Sequence, residues 1–203
     1  QVVVRQVTPM ARGHTEALVP MVRAAVAAAG LTFAEFDLIG VTVGPGAFTG
    51  IRIGLATARG LALAADVPVA GVTSLAALAG GTPDRAPGQR VLALIDTKRG
   101  DLYAQLFAPD GAAEGEPAVL APPDLAAWVG DRPTLVVGDA PEEAMSGLLA
   151  LPRVSRGASR TVDPGILARL AVARWCAGTA LPADPLYLRP PEAKLPARRG
   201  LRP

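Results

Sequence analysis

The residues whose types and spacing could do chemistry fall in a few short clusters. The densest is Gly44-Pro45-Gly46, which closes an apolar run over residues 38–43 and leads at Thr49 into a stretch rich in small residues. A strand, a glycine turn and a helix in that order offer free N–H groups and the positive end of a helix dipole, an arrangement suited to phosphate. The lysine of a Gly-Lys-Ser/Thr loop is absent, so this is no Walker A site. Asp96 ends a second apolar run and is followed by Thr97-Lys98-Arg99-Gly100. A carboxylate at a strand end is a common metal-associated position, while the following charges read as an ordinary hairpin loop. Gly138-Asp139 reads as a strand end plus a helix cap, with a nucleotide-binding loop as the alternative. His14 is the only histidine, and Leu18 stands four residues on, where a helical second ligand would be. No histidine-based zinc centre is therefore expected, and no Gly-x-Ser-x-Gly elbow supports a serine triad. His14 itself reads as a capping or solvent-facing residue.

These clusters must be held by a mixed α/β chain. Residues 2–7 read as a strand, 15–29 as a helix ended by Gly30 with Pro20 in its opening turns, 38–43 as a buried strand, 49–65 as a helix, 68–72 as a short strand and 74–79 as a short helix. Residues 80–88 are rich in Gly, Pro and charge and read as a linker. Beyond it, 91–95 and Leu102–Phe107 form a hairpin candidate. A helix over 122–129, a strand over 134–137, a helix over 141–149 capped by Asp139 and a helix over 164–177 follow. The predicted organisation is an N-terminal lobe (1–80), a linker (81–90), a C-terminal lobe (91–182) whose last helix can pack across both, and a Pro/Arg-rich tail (183–203).

Composition bounds the function. With 50% hydrophobic and 19% charged residues over 203 positions, the chain is globular rather than disordered. Aromatics are 4%, too few for a base-stacking platform. From Arg189 onward five basic residues stand against Glu192, so the tail carries +4 and, with +2 overall, the remainder carries −2. The body is no polyanion binder; the tail reads as a solvated terminus, with an arm for RNA or for an acidic partner as the alternative. Cys176 is the only cysteine, which fits a reduced, cytoplasmic setting. No apolar run reaches membrane-spanning length. The chain starts at Gln1 without a Met, and the true start is expected to be missing.

The helix over 49–65 carries Gly50, Gly54, Ala58 and Ala62 at every fourth position. Such a row lets another backbone approach closely, and glycines inside a helix cost about 1 kcal/mol each relative to alanine, so they require a packing reason. The preceding helix offers a matching stripe of Leu18, Met21, Val22, Ala25 and Ala29. Spacing alone leaves two readings open: packing within the lobe, or a face for another protein, with Arg52 and Arg59 flanking it to meet carboxylates.

His14-Thr15-Glu16-Ala17-Leu18-Val19-Pro20, the run from Val43 through Gly44-Pro45-Gly46-Ala47-Phe48-Thr49-Gly50-Ile51-Arg52-Ile53 to Gly54, Ala58-Arg59-Gly60-Leu61-Ala62, Val72-Thr73-Ser74-Leu75 and Tyr187-Leu188-Arg189-Pro190 together resemble the TsaB (YeaZ) family. The match is close through residue 75 and holds only in outline beyond it. The resemblance implies a two-lobed actin/hexokinase-like ATPase fold, related to ribonuclease H, with its first strands missing here. It also implies a noncatalytic partner of TsaD in making threonylcarbamoyladenosine next to the anticodon of tRNA. On that reading the chain binds no cofactor or metal, pairs with TsaD as a heterodimer through its first two helices, self-associates as a homodimer when alone, works with the ATPase TsaE, and meets tRNA indirectly. The interface residues it implies are Leu18, Met21, Val22, Ala25, Gly50, Arg52, Gly54, Ala58, Arg59 and Ala62, with Gly44, Pro45, Gly46 and Thr49 as a structural loop. The metal-holding histidine pair of TsaD would fall on His14 and Leu18, so that site is absent. The alternative is a small-molecule kinase or ATPase of the same fold that uses Asp96.

Overall fold

The structure is a computed structural model describing residues 1–10 and 12–189. The predicted basic tail beyond residue 189 lies outside the described residues.

Two sheets organise the molecule. In the first, β1 (Ile39–Gly44) pairs in parallel with β2 (Val69–Thr73), joined by the 18-residue helix α2 (Phe48–Ala65). The second has five strands in the order β5-β4-β3-β6-β7. Its antiparallel part is β3 (Arg90–Asp96), β4 (Leu102–Phe107) and β5 (Ala118–Leu120); its parallel part adds β6 (Thr134–Gly138) and β7 (Val154–Arg156) to β3. Continuous apolar runs such as Val91-Leu92-Ala93-Leu94 and Leu135-Val136-Val137 form β3 and β6, covered on both faces.

The remaining helices are α1 (His14–Ala28), α3 (Ser74–Gly80), α4 (Leu125–Val129), α5 (Glu142–Leu149) and α6 (Pro164–Cys176). Helix α3 is buried at every position from Ser74 to Ala79, as an all-round apolar helix must be. One core cluster joins it to Ala70 and Val72 of β2, Val91 and Ala93 of β3, and Ala171 of α6. A second cluster fills the far side of the large sheet with Leu92, Leu94, Val136, Leu125 and Met145. Helix α6 starts where Asp163 accepts from the Gly165 and Ile166 amides at 2.7 and 3.1 Å, with Pro164 at its first position. It packs on β1, β2 and α3.

Several sequence expectations need correction. Residues 2–7 form no strand. Among the described residues β1 pairs only with β2, and residues 2–7 do not add to that sheet. They run beside α6 instead, with Arg5 bonded to Asp163 at 2.6 Å. Helix α1, by contrast, lies where the sequence puts it, within a residue at each end and with Pro20 inside it. Residues 122–129 divide into a 3-10 turn, Pro122–Asp124, and the short α4. Asp139 does not cap α5, whose first flanking residue is Pro141; its carboxylate accepts from the Asp96 amide at 3.0 Å. The three-residue strands β5 and β7 were too short to show a period of two.

Candidate functional site

The Gly44-Pro45-Gly46 turn ends β1 and opens α2. Gly44 has φ +114° and its peptide with Pro45 is cis. A Cβ on Gly44 would stand 2.8 Å from the Leu186 carbonyl oxygen. The glycine makes room for a second stretch of chain that crosses the turn. Gly44 and Pro45 are buried, Gly46 is half-buried and Thr49 is exposed. Helix α2 has no side-chain cap at Ala47.

The crossing chain is the segment 181–189. Leu181 and Gly71 exchange two backbone hydrogen bonds, at 2.8 and 3.2 Å, and the Leu186 amide donates to Val43 at 2.7 Å. Ala183 and Leu186 pack on the small core of Val41, Val43, Ile51, Leu55 and Ala58. Gly71 also has no room for a side chain: a Cβ would lie 2.6 Å from Val43 and 2.7 Å from the Pro182 carbonyl. Tyr187 stacks on Phe48 with centroids 4.9 Å apart, and its hydroxyl accepts from Arg52 Nε at 2.8 Å. Arg52 also lies 3.7 Å over the Phe48 ring. Asp184 pairs with Arg59, and Arg189 reaches across to Asp101 beside β4.

Between this segment and the β3–β4 loop lies an open cleft of about 810 Å³, lined among others by Phe48, Arg52, Asp96, Lys98, Asp139 and Tyr187. Lys98 Nζ sits 2.8 Å from Asp96 and 3.9 Å from Asp139. Burial would raise the Asp96 carboxyl, but hydrogen bonds from the Lys98 side chain and amide, with its charge, hold it below the usual carboxylate range. The Lys98 ammonium is raised by its bond to Asp96. The two groups satisfy each other. Among the described residues no group of three or more His, Cys, Asp and Glu is placed to hold a metal.

The small-residue row splits. Ala58 and Ala62 are each 6% exposed and turned into the lobe's own core, so they do not belong to an outward face. Their half of the row follows the intramolecular reading. Gly50 is exposed and Gly54 half-buried. Space is open around a Cβ at Gly54. The outward side of α2 instead carries Arg52, Ala56, Arg59, Gly60, Leu63 and Ala64, all exposed. Leu63 is 86% exposed, and a Cβ on Gly60 would meet nothing within 4 Å. The second row, Ala56, Gly60 and Ala64, was present in the sequence at the same spacing. Which of two small rows faces the sheet is fixed by Ile51 and Leu55, which stand seven residues before Ala58 and Ala62 respectively, and that phase was the available signal.

In α1 no residue is buried. Leu18, Met21, Val22 and Ala25 line a largely apolar groove of about 980 Å³ between α1, α6 and residues 1–6, with Gly40 also at its wall. They thus face a different hollow from the outward row of α2. No helix among the described residues is long and apolar enough to cross a membrane.

A family model described as "TsaD: tRNA N6-adenosine threonylcarbamoyltransferase" matches residues 7–115. An uncharacterized protein of Mycobacterium tuberculosis is 41% identical over 189 residues, covering 93% of this chain and 81% of its own. The "tRNA threonylcarbamoyladenosine biosynthesis protein TsaB" of Escherichia coli is 38% identical over 115 residues, 55% of this chain and 50% of the relative. The solved structure "YeaZ from Pseudomonas aeruginosa" superposes with a TM-score of 0.72 at 30% identity, over 85% of this chain and 84% of that one. A second Pseudomonas aeruginosa structure, described by its similarity to peptidase YEAZ, gives 0.74 at 31% identity.

Proposed function

Since the chain belongs to the TsaB (YeaZ) family, with that family's actin-like ATPase fold, we propose that it serves the synthesis of threonylcarbamoyladenosine in tRNA as a noncatalytic subunit docked to a TsaD-like enzyme. The observation that carries the docking reading is the outward side of α2. A helix with Leu63 86% exposed beside Ala56, open Gly60 and Ala64 has an apolar, low-relief face that a second helix can approach closely. The TsaD family model covers residues 7–115, a span that includes both α1 and α2. A TsaD-like partner therefore brings helices of the same kind, and like can pair with like about a pseudo-twofold axis. The same face accounts for a homodimer when the partner is lacking. A TsaE-like ATPase joins the pair, and tRNA is met through the TsaD-like subunit.

In this reading the interface takes Arg52, Ala56, Arg59, Gly60, Leu63 and Ala64 from α2, with Gly50 and Gly54 at its margin. Leu18, Met21, Val22 and Ala25 line the groove between α1 and α6. The Asp96–Lys98 pair is a closed charge couple and does no chemistry. The test is co-purification with the TsaD-like protein of the same organism, then a tRNA modification assay with and without this chain. Modification that requires both proteins is the expected result. Modification by this chain alone, or steady ATP hydrolysis by it that is lost in Asp96→Ala, overturns the reading in favour of an enzyme.

A further inference from the structure

The segment 181–189 does more than close the small core. Its anchorage is complete without its polar side chains: Leu181 is held by two backbone bonds to Gly71, Leu186 by one to Val43, and Ala183 and Leu186 pack on the core. Yet it also places Tyr187 and Asp184 on the two arginines of the outward α2 face. Neither contact is a strong source of stability. Both Arg59 and Asp184 are mostly exposed, and such pairs contribute little.

Their geometry has a different consequence. Arg52 and Arg59 lie seven residues apart on α2, about 10 Å along the axis. A free arginine side chain samples many rotamers, and ordering it opposes binding. Here the Arg52 guanidinium carbon lies 3.7 Å from the centre of the Phe48 ring, and its Nε is bonded to the Tyr187 hydroxyl at 2.8 Å. Among the described residues no hydrogen bond or ion pair is formed by its two Nη groups, which leaves the forked end that recognises a carboxylate in two-point fashion. Arg59 is bound through one Nη, leaving its other donors.

We propose that Tyr187 and Asp184 are positioning residues for docking: they hold Arg52 and Arg59 ready to meet two carboxylates, about two helical turns apart, on the helix of the partner subunit. This rests on the docking reading above. The segment then belongs to the interface apparatus although it need not touch the partner.

The experiment is a double-mutant cycle on the full chain, read as affinity for the TsaD-like protein by titration calorimetry, with Gly60→Leu as the control for the face itself. Tyr187→Phe keeps the ring stack and removes only the hydroxyl; Asp184→Asn keeps the shape and removes the charge. Each is expected to weaken binding about three- to tenfold with an unchanged melting temperature. Tyr187→Phe should add nothing to Arg52→Ala, nor Asp184→Asn to Arg59→Ala, because each acts through that arginine. Full wild-type affinity in both variants, or effects that add to those of the arginine changes, overturns the proposal. If Gly60→Leu abolishes binding while Tyr187→Phe and Asp184→Asn both bind normally, only the positioning idea falls. If Gly60→Leu also binds normally, the docking face falls and the positioning idea with it.

Discussion

The two halves of the molecule are built to different densities. The five-stranded sheet is packed on both sides: Leu92, Leu94 and Val136 are wholly buried, and α3 has no exposed position from Ser74 to Ala79. The N-terminal half has a two-stranded sheet, a helix α1 with no buried residue, and a helix α2 with one side open. A surface that is to meet another protein has to leave apolar residues uncovered, and only a lobe held elsewhere can do so. The contrast teaches that the tightest packing lies in and around the large sheet, and that the docking face proposed above is drawn from the thinly packed side.

The largest effect that can break this comparison is in the dense half. Leu94→Ala should cost about 2–5 kcal/mol by urea denaturation, because it leaves a cavity among residues that cannot close around it. Ala58→Leu should cost about 1–3 kcal/mol, since Ala58 faces the lobe's own core; an effect on partner binding with no loss of stability would show it to be outward after all. Gly71→Ala should cost a similar amount, about 1–3 kcal/mol, because its Cβ would meet Val43 and the Pro182 carbonyl. Leu63→Ala should change stability by no more than about 0.5 kcal/mol while weakening partner binding, the reverse pattern to Leu94→Ala. The smallest effect lies in the cleft. Asp96 has a lowered carboxyl, so its contribution to stability is present above the unfolded carboxylate value and is lost as pH falls through the folded one. Lys98→Met should move the Asp96 carboxyl upward, followed by carbon NMR titration; an unmoved titration would remove Lys98 as its partner.

Most of this fold was legible in the sequence. The apolar runs gave β1, β3, β4 and β6 within a residue or two because parallel and central strands are buried on both faces. Asp163-Pro164 marked the start of α6. Two kinds of feature were not legible. Residues 2–7 have strand composition, but composition does not select the partner, and these residues lie beside α6 instead of pairing with β1. The contacts of Asp184, Tyr187 and Leu186 in the segment 181–189 join positions more than a hundred residues apart, beyond any local pattern. That distance also hid the reason for Gly44 and Gly71, which look like ligand-loop and strand glycines but make room for residues 181–189. The site was half legible. The i, i+4 rows on α2 were both visible, and the choice between Ala58 and Gly60 as the outward one depends on the burial of Ile51 and Leu55.

The claim at the centre is that the outward side of α2, and not its Ala58–Ala62 side, receives the TsaD-like subunit. Gly60→Leu tests it most directly. Leucine there meets open space and improves helix propensity by up to about 1 kcal/mol, so the melting temperature should hold or rise. Calorimetric titration with the TsaD-like protein should then show binding weakened by about a hundredfold or more, corresponding to about 3 kcal/mol. Binding at wild-type affinity by a folded Gly60→Leu chain would contradict the account.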